Sequence, residues 1–127
     1  NIFLNLLQIS KFNEFIHYST LFRDPSCIDT TKIIGFILNV PSNYKIGFVR
    51  LPLQRRHWIS VKQINGEYWN LDSKLDAPQV IGDEFQTMEY LRNQLQSNDK
   101  ELFIVCTRGV DNDQTWLLPE FRRETPQ

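Results

Sequence analysis

Along the chain, the spacing of apolar positions changes several times, and each change predicts an element. From Asn1 to Phe12 the groups at Ile2, Leu6 and Ile9, with Phe3 and Leu7 beside them, recur at helical spacing and predict a helix with one core-facing side. Phe15 to Tyr18 is a short aromatic run that predicts a strand; His17 lies within it and is assigned no role. Arg23-Asp24-Pro25-Ser26 is a turn signal. Ile33 to Val40 (IIGFILNV) is a continuous apolar run closed by Pro41-Ser42-Asn43. Its length and β-branched content favour a buried strand, with a short helix as the alternative. Tyr44 to Leu53 is mixed, holds Gly47 and Pro52, and predicts an irregular crossing or an edge strand.

Arg55 to Lys74 (RRHWISVKQINGEYWNLDSK) predicts two strands joined at Asn65-Gly66. That dipeptide is the strongest short hairpin signal, because both central residues of a type I′ turn need φ > 0. With a two-residue loop, Ile64 faces Glu67, Ile59 faces Asp72 and His57 faces Lys74. His57 opens the first strand in this reading and Asp72 closes the second. Because side chains alternate faces, the two share one face as diagonal neighbours, about 7–8 Å apart.

Beyond Ser73 to Gly82, punctuated by Pro78 and Gly82, Asp83 has the position of an N-cap and Gln86 completes a capping box. The helix it starts carries Phe85, Met88, Leu91 and Leu95 as a stripe for core packing, and Ser97 to Lys100 ends it. Glu101 to Cys106 (ELFIVC) predicts another buried strand. From Arg108 the composition turns polar; Trp116, Leu117 and Leu118 are expected to pack back onto the body, and FRRETPQ to be loose. Adjacent strands joined by short turns, with helices against them, imply a mostly antiparallel sheet of the α+β class.

The totals narrow the function. A chain of 127 residues is long enough for one domain with a core. A net charge of −1 offers no general electrostatic case for nucleic acid or an anionic membrane. The apolar runs are too short to span a bilayer as helices, and no targeting segment is visible. The two cysteines, Cys27 and Cys106, are not a disulfide framework, and a reducing intracellular setting is the simpler assumption. Scattered Cys and His show no metal-ligand spacing, so neither a metal nor another cofactor is expected.

What chemistry remains lies with His57 and Asp72. A carboxylate accepting from one imidazole nitrogen would fix the tautomer and leave the other nitrogen as a base. The competing reading is that a His and an Asp near strand ends are ordinary polar residues of a sheet rim.

Several stretches together resemble the Josephin family of deubiquitinating cysteine proteases: IIGFILNVPS (Ile33 to Ser42), LPLQRRHWISV (Leu51 to Val61), GEYWNLDSKL (Gly66 to Leu75), Ala77 to Gly82, and ELFIV (Glu101 to Val105). The short single-domain members are most similar. The resemblance implies a papain-like α+β domain over residues 1–107, partial at its N-terminus, followed by a tail over 108–127. It implies that His57 is the general base and Asp72 the residue that orients it, with Trp58 and Trp69 packing the hairpin. The implied reaction is hydrolysis of the bond at the C-terminus of ubiquitin, with ubiquitin or ubiquitinated proteins as partners, no nucleic acid, no metal, a monomeric state, and the cytoplasm, with the nucleus as a second location.

One departure stands out. Members of the family carry a nucleophilic Cys on a helix near the start of the domain, with a Gln shortly before it, and neither has a counterpart here. The first residue is Asn, inside an uncapped helical pattern, so the expectation is a chain cut at its N-terminus and inactive alone. Cys27 precedes His57 but follows a Pro-Ser loop, with only Arg23 nearby to lower its pKa. Cys106 ends a buried strand and reads as an inert core thiol. Three readings stay open: a cysteine deubiquitinase, a ubiquitin-binding module without catalysis, and a structural hairpin domain whose His and Asp only pair at the surface.

Overall fold

A computed structural model describes residues 14–19, 24–46 and 49–122. The helix expected over Asn1 to Phe12 lies outside the described residues. Among the described residues six strands form one sheet: β1 (Glu14–Ser19), β2 (Gly35–Ile46), β3 (Val49–Ile64), β4 (Glu67–Asn70), β5 (Gln79–Gly82) and β6 (Glu101–Thr107). Their spatial order is β1-β6-β2-β3-β4-β5, and every pairing is antiparallel. Among the described residues two α-helices follow strands, α1 (Glu84–Leu95) after β5 and α2 (Arg108–Asp113) after β6. The class is α+β, as the element order implies.

Register sorts the side chains into two faces. Phe36 pairs with Val61 and with Ile104, and Leu38 pairs with Ile59 and with Leu102. This row is buried together with Leu91 and Leu95 of α1 and with Cys106, so α1 covers this face. Burial of each such side chain stabilises the fold by roughly 1.5–3 kcal/mol. On the opposite face Ile37 and Val105 are also buried, and Trp58 rests on Phe103 of β6, ring centroids 5.4 Å apart. Trp58 therefore packs across β2 onto β6.

The capping box at Asp83 forms as the sequence predicts. Asp83 Oδ1 accepts from the Gln86 N–H at 2.9 Å, and Gln86 Oε1 accepts from the Asp83 N–H at 3.0 Å. The stripe on α1 needs a correction. Leu91 and Leu95 are core residues and Met88 packs partly buried against them, but Phe85 is 73% exposed. Phe85 sits in the first turn of α1, on an open groove that Val80 and Ile81 of β5 also line, and so stays in contact with solvent. Thr87 takes the buried place there, its hydroxyl donating to the Asp83 carbonyl at 2.8 Å.

Pro41-Ser42-Asn43 does not end β2, which runs on to Ile46. Pairing with β6 stops at Asn39, so Pro41 lies where only β3 flanks the strand and a missing N–H costs little. β2 and β3 continue as a two-stranded ribbon, with a register shift between Asn43 and Lys45. His57 therefore lies well inside β3 rather than at its start, and the stretch ending at Leu53 is neither a crossing nor an edge strand: Tyr44 to Ile46 finish β2 and Val49 to Leu53 begin β3, paired with each other at the far end of the ribbon. Two short elements carry no clear sequence pattern, β5 and α2.

After α2, Trp116 and Leu117 return to the core. The Asp29 N–H donates to the Trp116 carbonyl at 2.7 Å, and the Leu118 N–H to the Cys27 carbonyl at 2.9 Å. These bonds dock the segment onto a 3-10 turn at Pro25–Cys27, which Asp24 caps through the Ser26 N–H.

Candidate active site

The hairpin that builds the site has the register its turn dictates. Asn65 and Gly66 have φ of 53° and 85°, both left-handed, and β3 pairs with β4 from Ile64↔Glu67 to Val61↔Asn70. One further bond keeps the register, from the Leu71 N–H to the Ser60 carbonyl at 2.9 Å. Asp72 does not close the second strand: β4 ends at Asn70 and Asp72 belongs to the turn that follows. The reason is local chemistry. Asn70 Oδ1 accepts from the Asp72 N–H at 2.9 Å, and Asp72 Oδ1 accepts from the Lys74 N–H at 2.9 Å. Two consecutive Asx turns offer the backbone partners that a ladder would otherwise supply.

His57 pairs directly with Val40 and shares the helix-covered face with Ile59 and Val61. Its Nε2 lies 2.5 Å from Asp72 Oδ1, and the two side chains are 15% and 14% exposed. The structure thus brings together the two residues singled out from the sequence. With Asp72 ionised, Nε2 carries the proton it donates. Among the described residues Nδ1 has no hydrogen-bond partner.

The surroundings of Asp72 hold residues that sequence reasoning did not single out. Lys74 Nζ donates to Ser42 Oγ of β2 at 2.5 Å, so the turn carrying Asp72 is fastened to the strand next to His57. Tyr90 of α1 has its phenol pushed up from the ordinary value of 10.0, first by burial and then by the negative charge of Asp72. The alternation of Asn and Asp at 70 and 72, each able to accept from the N–H two residues on, was the available signal for the turn. Nothing in the sequence pointed to Ser42 or Tyr90. On the sheet's other face, Arg56 donates from Nε to Asn39 Oδ1 at 2.7 Å and from Nη1 to the Asp99 carbonyl at 2.8 Å, satisfying the buried Asn39.

Neither cysteine belongs to this arrangement. Cys27 is buried, its Sγ–H donates to the Asp24 carbonyl at 3.4 Å, and burial foremost raises its pKa. Cys106 is fully buried in β6, and burial, followed by the charge of Asp111, pushes its thiol up to about 11. Such thiols stay protonated near neutrality and are poor nucleophiles. Among the described residues no group of three or more His, Cys, Asp or Glu is placed to hold a metal ion, and no helix is long and apolar enough to cross a membrane.

Comparison with known proteins gives a consistent family. A family model described as Josephin matches residues 5–106. A Josephin-like protein of Drosophila melanogaster is 47% identical over 105 residues, covering 79% of this chain and 47% of the fly protein. Human Josephin-2 is 42% identical over 95 residues, covering 75% of this chain and 50% of the human protein. A Josephin-like protein of Arabidopsis thaliana is 37% identical over 67 residues. The chain spans about half the length of the fly and human relatives it matches.

Proposed function

The chain belongs to the Josephin family, and we propose that the full-length protein is a cysteine-type deubiquitinase in which His57 is the general base and Asp72 its orienting carboxylate. The observation that carries this reading is the 2.5 Å contact from His57 Nε2 to Asp72 Oδ1, on a half-sheltered face of the hairpin.

The roles follow from that contact. Asp72 holds the ring in the Nε2–H tautomer, which leaves the Nδ1 lone pair to accept a proton. The nucleophilic thiol comes from outside these 127 residues, because Cys27 and Cys106 are buried and hard to ionise. Nδ1 takes the thiol proton, and the thiolate attacks the carbonyl carbon of the terminal glycine of ubiquitin. The imidazolium, stabilised by Asp72, then protonates the leaving amine. Water attacks the resulting thioester with Nδ1 again accepting a proton, and the thiol is restored as ubiquitin leaves.

The test uses the full-length protein and ubiquitin bearing an electrophile at its C-terminus. Native protein is expected to form the covalent adduct and His57→Ala to form none. Equal labelling of His57→Ala would remove His57 from the mechanism. Binding of ubiquitin without any labelling of the native protein would favour a non-catalytic binding module.

A further inference from the structure

The turn that presents Asp72 is held by two further side-chain hydrogen bonds, neither of which is made to the imidazole. We propose that Asn70, Lys74 and Ser42 form a positioning clamp, in which the Asn70 carboxamide and the Lys74–Ser42 bond set where the Asp72 carboxylate stands relative to His57. This rests on the catalytic reading of His57 and Asp72.

Three distances define the clamp. Asn70 Oδ1 accepts from the Asp72 N–H at 2.9 Å and fixes the backbone of Asp72 as it leaves the ladder. The Lys74 N–H donates to Asp72 Oδ1 at 2.9 Å, the same oxygen that meets His57 Nε2. Lys74 Nζ donates to Ser42 Oγ at 2.5 Å. Ser42 lies two residues from Val40, the cross-strand partner of His57, and so shares its face of the sheet. The carboxylate is therefore held from its own backbone by Asn70 and from β2 through Lys74, with His57 between the two anchor points. Among the described residues, the Lys74–Ser42 contact is the one side-chain hydrogen bond tying residues 73–78 to another element.

Such a clamp has work to do because the ladder does not reach Asp72. β4 stops at Asn70, and a carboxylate on an untethered turn would sample positions away from Nε2. Orientation by a second partner of this kind governs the tautomer and the fraction of rings ready to act.

The experiment measures steady-state hydrolysis of a ubiquitin C-terminal fluorogenic amide by the full-length protein, with melting temperature recorded for each variant. Asn70→Ala and Lys74→Met are each expected to lower kcat about three- to tenfold, the size of one net hydrogen bond, with KM and melting temperature held. Asn70→Ser, which still accepts from the Asp72 N–H, is expected to recover most of the loss. The Ser42→Ala, Lys74→Met double variant is expected to be no worse than Lys74→Met alone, because both remove the same bond. Unchanged kcat in Asn70→Ala and Lys74→Met, or a fall that only tracks the folded fraction, would overturn the clamp.

A second measurement separates this proposal from the catalytic one. Nitrogen-15 spectra of the His57 ring are expected to show the Nε2–H tautomer in the native protein and a mixture in Asn70→Ala and Lys74→Met. If the native protein does not hydrolyse the amide, the deubiquitinase reading fails while the ring spectra still decide the clamp. Identical spectra in all variants would overturn it.

Discussion

The Leu71 N–H donates to the Ser60 carbonyl at 2.9 Å, and this bond decides where Asp72 goes. It carries the hairpin register one residue past the end of β4, so Asp72 leaves the ladder diagonally opposite His57 and on its face. The turn then closes the remaining gap to a 2.5 Å contact.

If that contact orients the ring, the identity of residue 72 should matter in a graded way. Asp72→Ala in the full-length protein is expected to lower kcat about a hundredfold without unfolding the domain. Asp72→Asn is expected to retain far more activity, because its Oδ1 accepts from both His57 Nε2 and the Lys74 N–H. Rates of ubiquitin-amide hydrolysis check this, and full activity in Asp72→Ala would refute the orienting role.

The turn at the other end of the ribbon is a stability element. Gly66 has φ of 85°, where an L side chain costs about 1–2 kcal/mol. Gly66→Val is expected to destabilise the protein by at least that amount, read as a shifted urea midpoint. Nothing lies within 4 Å of a Cβ placed there, so the loss would come from the backbone and not from a clash.

Two positions on α1 distinguish its real core face from its apparent one. Leu91→Ala is expected to cost about 2–5 kcal/mol, since Leu91 is fully buried. Phe85→Ser, at 73% exposure, is expected to leave the urea midpoint within about 0.5 kcal/mol of native. Asp83→Ala, which removes the capping box, falls between them at about 1 kcal/mol.

The two thiols predict a pH dependence. Burial raises both above the ordinary value of 9.0, Cys106 to about 11. Between those values the folded state keeps a proton on Cys106 that the unfolded chain releases. Stability is therefore expected to fall as pH rises from 9 toward 11, with the thiol contribution fully present below 9. Urea titrations across that range check the sign. At pH 8, thiol reagents are expected to modify native protein far more slowly than protein in denaturant.

Short-range patterns in the sequence were enough to establish a good deal. Asn65-Gly66 dictates a two-residue turn, and a two-residue turn allows one register, so His57 and Asp72 had to share a face before any tertiary contact formed. The capping box at Asp83 and Gln86 was equally local. The motifs around His57 and Asp72 also carried the family, which the match over residues 5–106 bears out.

Tertiary structure decided the remainder. β6 enters between β1 and β2, with Ile37 opposite Phe103, and that pairing between distant segments has no local code. Because β6 starts opposite Asn39 and does not reach Pro41, the chain can pass through Pro41 and keep β2 in ladder with β3. Phe85 stays exposed in the first turn of α1, although its spacing matches that of Leu91 and Leu95. Ser42 reaches Lys74 only because β2 continues, across 32 residues of sequence. Hydrophobic period and turn chemistry act between near neighbours, whereas which strand lies beside which is settled by the burial of all of them together.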